Sequence, residues 1–195
     1  MTNSSEGHLR IDDFLPDYDF SAIYEVCIKA EPSLVYEHLV WLDFNEVWVV
    51  RLLESARNGK LVARPRVSTS LSQRLQGTGF VTLLEVPNEE VVMGIAGRFW
   101  RPDGGRCMDL TADEFVGFNR LGFAKVAWNF RLRADAHEKT VLSTETRVKC
   151  YGQAALWKFG VYWTLIRPFS GVIRKAILNR VKTEAESKIQ RSQRT

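Results

Sequence analysis

Two stretches of strict alternation, residues 122–134 and 139–151, constrain this 195-residue chain more than any other feature. In the first, Ala124, Val126, Trp128, Phe130 and Leu132 share one face, and Lys125, Asn129, Arg131 and Arg133 share the other. In the second, Leu142, Thr144, Thr146, Val148 and Cys150 oppose Ser143, Glu145, Arg147 and Lys149. A period of two over this length means paired strands, and the polar turn near residues 135–138 makes them antiparallel. Such a pair is expected to have one wet face and one face that something must cover.

The cover comes directly afterwards. From Gln153 to about Gln190, Leu156, Phe159, Trp163, Ile166, Phe169, Ile173, Ile177 and Val181 recur at steps of three and four, the spacing of an amphipathic helix. A straight helix of about 38 residues would run roughly 57 Å, against about 40 Å for a compact domain of this size. A kink or break is therefore expected, and Pro168 with Gly171 marks its place.

Upstream, residues 1–19 lack periodicity and read as a flexible or draped arm, leaving residues 20–191 as one domain. Residues 22–30 alternate as a strand. Pro32 then opens a helix through Leu34, Val35, Leu39 and Leu42, and a second helix is expected over residues 46–56. Residues 58–78 read as a polar loop, residues 79–86 and 91–100 as a hairpin, and residues 106–110 and 114–118 as short strands.

Order and residues together resemble the helix-grip fold of the START and birch-pollen-allergen superfamily, also called SRPBCC. Tyr24-Glu25-Val26 followed by Ala30-Glu31-Pro32-Ser33-Leu34-Val35-Tyr36 is similar to that family's opening strand and Pro-led helix. Ser143 to Val148, and Tyr162 to Gly171, resemble the last strand and helix of its polyketide cyclase-like bacterial members. The resemblance implies an α+β domain in which a curved antiparallel sheet of six to seven strands grips the long C-terminal helix. It also implies a cavity for a lipid, polyketide, quinone or other apolar molecule. The family has no shared catalytic motif to carry over, and its fold does not fix a function.

Cys27, Cys107 and Cys150 are too scattered for a disulfide framework or zinc site and read as reduced thiols in a soluble, cytoplasmic protein. His8, His38 and His137 have no metal-like neighbours, so no metal or cofactor is expected, and no catalytic signature stands out. The net charge of +4 hides a split: residues 1–50 carry ten acids and two bases, residues 149–195 ten bases and two acids. The default expectation is attraction between the acidic arm and the basic helix. The alternative is docking of that helix on an anionic membrane; nucleic acid is disfavoured because no recognition module accompanies the charge.

The candidate ligand contacts are Arg98, Trp100, Trp128, Phe130, Thr144, Thr146, Phe159, Tyr162 and Trp163. The aromatics are either plain core or the walls of a ring-shaped pocket. The two threonines either bond neighbouring backbone or orient a polar group of an apolar ligand. Arg98, if turned inward, would meet a carboxylate or phosphate. The function expected is binding or carriage of an apolar or aromatic small molecule, gated by residues 58–78 and the Pro168 kink. A cyclase or dehydratase using Thr144, Tyr162 or Arg98 is one alternative, and a membrane-associated partner protein another.

Overall fold

The computed structural model describes residues 9–42, 79–101, 108–135 and 139–192. Five strands form one antiparallel sheet: β1 (Phe20–Ile28), β2 (Val81–Val86), β3 (Glu90–Gly97), β4 (Ala124–Asp135) and β5 (Lys139–Cys150), in the order β1-β5-β4-β3-β2. Helix α1 (Pro32–Val40) follows β1, α2 (Ala112–Gly117) precedes β4, and α3 (Gln153–Ser192) closes the chain. The expected second helix, the loop at residues 58–78 and any strand beyond five lie outside the described residues.

The alternation sets the register. Tyr24 and Phe130 flank Thr144, and Ala22 and Trp128 flank Thr146, so all six share the face beneath α3. That face buries Ile28, Val91, Met93, Phe130, Leu132 and Leu142 against Val35 and Leu39 of α1 and Ile177, Leu178 and Val181 of α3. Full burial of each such side chain contributes about 1.5–3 kcal/mol.

The opposite face is covered over its middle strands, while Ile23, Glu25 and Cys27 of β1 stay exposed as expected of a wet face. Residues 9–18 and α2 lie over the middle strands, with Ile11, Leu15 and Phe115 packed on Val92 and Ala127. Gly94 makes room, since a Cβ there would come within 2.7 Å of the Phe115 ring. Lys125, Asn129, Glu145 and Arg147, which alternation assigned to solvent, are consequently buried, as is Glu90 beside them, and each has polar partners. The Arg147 guanidinium donates to Glu145 at 2.7 Å, to the Leu15 carbonyl at 3.2 Å and to Asp12. Asn129 donates to Glu90 at 2.7 Å and accepts from the Glu145 amide at 2.7 Å. Lys125 donates to the carbonyls of Phe115 and Val116 at the end of α2.

Three further expectations are corrected. Residues 112–117 form a helix where a short strand was expected, because Thr111 and Glu114 make a reciprocal capping box. Of the strand expected over residues 106–110, the first two residues lie outside the described ones, and at Met108 a single bridge to Ala96 stands in place of a strand. Helix α3 runs unbroken through Pro168 for 40 residues. Pro168 deprives only the Thr164 carbonyl of a donor, and both residues are exposed, so water can serve that carbonyl. The charge split resolves in part as expected. Asp12 and Asp19 of the arm pair with Arg147 and Lys149 of β5, and Glu37 of α1 pairs with Lys188 of α3.

Candidate functional site

The candidate residues fall into two groups, held by different halves of α3. Phe159 and Arg174 are 15 positions apart, which is about 22 Å along a helix.

The first group surrounds Phe159, which is buried. Its ring lies 5.3 Å from Phe20, 5.7 Å from Tyr162, 5.8 Å from Trp163, 6.3 Å from Phe99 and 6.4 Å from Trp100. With aromatic neighbours on so many sides, Phe159 packs as core. Arg98 lies at the edge of this group, at the end of the sheet. Its Nε donates to the Gly122 carbonyl at 3.1 Å, and its guanidinium carbon is 4.3 Å from the Phe123 ring centroid. It lines a surface cleft of about 530 Å³ together with Trp100, Arg101, Gly122, Ala154, Ala155 and Lys158.

The second group sits in the seam between α3 and the sheet. The Thr144 hydroxyl accepts from Trp128 Nε1 at 2.7 Å and donates to the Asn129 carbonyl at 2.7 Å. Above them lies Arg174 of α3. One guanidinium nitrogen donates to Thr144 at 3.3 Å, Nε donates to Ser170 at 3.4 Å, and the guanidinium carbon stands 4.6 Å from the Trp128 ring centroid. Phe130 is fully buried beside Trp128, 5.0 Å away. The Thr146 hydroxyl is buried with no hydrogen-bond partner among the described residues. Gly171 brings the helix down onto this group, because a Cβ there would fall 2.6 Å from the Tyr24 hydroxyl. Its role is close approach rather than the expected kink.

Arg174 is the chemical centre of this seam. Its hydrogen bonds are long and go to neutral hydroxyls, and no carboxylate among the described residues pairs with it. Burial pulls its pKa down to about 10, so the side chain remains a cation at neutral pH. A desolvated cation with weak neutral partners is unfavourable by itself and strongly favours an incoming anion or polarised oxygen. The aromatic surface of Trp128 beside it, backed by the buried Phe130, suits an apolar body.

The sequence reading placed Trp128, Phe130, Thr144 and Thr146 on one face, and they do meet there. It counted Arg174 only among the basic residues of the helix. The available signal was phase: Arg174 lies three residues before Ile177 and seven before Val181, both on the inward stripe.

No family model matches the sequence, and no curated protein matches it. Solved structures similar to this chain include hypothetical protein jhp0584 from Helicobacter pylori. It is 9% identical, with TM-score 0.42, and the match covers 95% of this chain and 99% of that one. CalU16 from Micromonospora echinospora is 13% identical with TM-score 0.29, covering 86% and 84%. The Zhui aromatase/cyclase from Streptomyces is 14% identical with TM-score 0.28, covering 87% and 95%. Scores of this size carry no argument about activity. The chain's own topology defines it as an α+β protein, an antiparallel five-stranded sheet packed against a long C-terminal helix.

Proposed function

We propose that the protein binds and carries a small molecule in the seam between sheet and α3. The ligand has an apolar or aromatic body and one anionic or strongly polarised oxygen group. Arg174 receives that oxygen, the unpartnered Thr146 hydroxyl supplies a second polar contact, and Trp128 flanks the body with Phe130 buried behind it. Thr144 positions: its hydroxyl holds the Trp128 indole and the Arg174 guanidinium in place. Trp100, Phe159, Tyr162 and Trp163 build the aromatic support at the other end of the helix, and Arg98 faces the surface cleft.

The observation that carries this reading is the guanidinium of Arg174, partly buried against Trp128, with hydroxyls and no carboxylate among the described residues for partners. Native mass spectrometry of the purified full-length protein, followed by solvent extraction of what is bound, tests it. The expected result is an acidic or carbonyl-bearing apolar molecule released unchanged, with Arg174→Met lowering its affinity about ten- to hundredfold. A ligand lacking any such oxygen, or one that binds the variant as tightly as the wild type, would sink the assignment.

A further inference from the structure

The outward face of α3 has a second character that ligand binding beneath the helix does not use. Trp157, Val161, Leu165, Phe169 and Val172 recur at steps of four and three, and they are 73%, 50%, 67%, 59% and 49% exposed. Residues at this spacing share one face of a helix. They form an apolar stripe from Trp157 to Val172, about 22 Å long. Scattered exposed hydrophobics are ordinary on a protein surface, but a continuous stripe of large ones marks an interaction surface.

The charge around the stripe identifies its partner. Between Gln153 and Thr183 the helix carries Lys158, Arg167, Arg174, Lys175, Arg180 and Lys182 and no acid at all. Arg174 turns inward, while Lys158, Arg167 and Lys175 are exposed. At the start of the helix, beside Trp157, the 530 Å³ cleft is lined by Arg98, Arg101 and Lys158 with no carboxylate among its lining residues. Among the described residues of this face, apolar side chains flanked by cations complement a surface that is apolar within and anionic at its rim.

We propose that this face of α3 docks, lying flat, on the surface of an anionic lipid bilayer. The stripe enters the boundary between headgroups and acyl chains, Lys158, Arg167 and Lys175 meet the headgroup layer, and a lipid phosphate occupies the cleft at Arg98 and Arg101. Crossing the bilayer is not involved, since no helix among the described residues is long and apolar enough to span it. A second copy of the chain fits less well. A twofold contact centred on the stripe would set Lys158 and Arg167 of each copy close to the same cations of the other, with no acid from this stretch to offset them.

Flotation of the full-length protein with vesicles tests the proposal, and no bound ligand is needed. The wild type is expected to float with phosphatidylglycerol-rich vesicles and to stay behind with pure phosphatidylcholine. Leu165→Glu with Phe169→Glu should weaken the association by about tenfold or more. Lys158→Glu with Arg167→Glu, or high salt, should weaken it as well, whereas Arg174→Met should float like the wild type. All substituted stripe and flanking positions are exposed, so thermal melts should match and confirm folding. Failure of the wild type to float with either vesicle overturns the proposal, as does flotation indifferent to lipid charge and to both double variants. A dimer in sedimentation analysis that Leu165→Glu with Phe169→Glu dissolves, without lipid binding, would assign the stripe to a second copy instead.

Discussion

The two halves of α3 face the same sheet but are held by different forces. The first half, up to Val172, seats Phe159 among aromatic rings and presents large apolar side chains to solvent on its far side. The second half buries aliphatic Ile177, Leu178, Val181 and Ala185, while Lys175, Asn179, Arg180 and Thr183 face outward. It is further tied down by polar contacts. Lys188 donates to Glu37 of α1 at 2.9 Å, and the Lys29 amide donates to Glu186 at 3.0 Å. A helix whose outer face is polar is finished as a surface. One that is apolar on both sides in the same stretch serves two partners.

The contrast can be broken or sharpened by substitution. The largest effect is expected at Phe159→Ala, which opens a void inside the aromatic cluster and should cost about 3–5 kcal/mol in chemical denaturation; a cost below that range would mean the first half is loosely packed. Pro168→Ala, at the junction of the halves, restores a donor to the Thr164 carbonyl. Stability is expected to rise by about 1–3 kcal/mol, and no change would show that the proline is already accommodated at no cost.

Arg174→Met separates ligand binding from folding. With no carboxylate left behind, the variant should be about 1–2 kcal/mol more stable than the wild type while losing ligand. A destabilised variant would point to a hidden anionic partner.

Glu37→Gln should have the smallest effect, because the Glu37–Lys188 pair is exposed. The Lys188 hydrogen bond, then its charge, holds the Glu37 carboxyl below its ordinary 4.5. Its contribution is therefore present above pH 4.5 and lost as pH falls through the lower folded-state value. The difference between wild type and variant, read from melting midpoints, should shrink on acidification. A difference that grows at low pH would show that the pair does not act as described.

Much of this architecture was legible because alternation is a local signal. The faces of β4 and β5 followed from a period of two, and the observed register keeps them; most of the inward stripe of α3 followed from steps of three and four, with Phe169 the exception, turned out to solvent. The short elements were less readable. Glu114 to Phe118 is apolar enough for a strand, and the capping box at Thr111 decides for a helix through hydrogen bonds at one end. The polar face of the sheet was misread for a different reason. Period two says which side chains share a face, not whether another segment lies over it. Glu145 and Arg147 are buried because residues 9–18, without periodicity of their own, place Ile11, Leu15 and Asp12 there.

The same division runs through the site. Placing Trp128, Phe130, Thr144 and Thr146 together required only the alternation of two strands. Selecting Arg174 over Arg98 as the inward cation required the helix to be laid on the sheet. Arg98 turns to the Gly122 carbonyl and the Phe123 ring, whereas Gly171 lets α3 settle on Tyr24 and carries Arg174 over Trp128. The sequence by itself determined the strands, the helix and the faces they bury, since these follow from local sterics and the spacing of apolar residues. Only the tertiary structure decided which charges are shielded from water and which stripe is left exposed. Desolvation and pairing depend on what the rest of the chain brings alongside, and no local pattern encodes that.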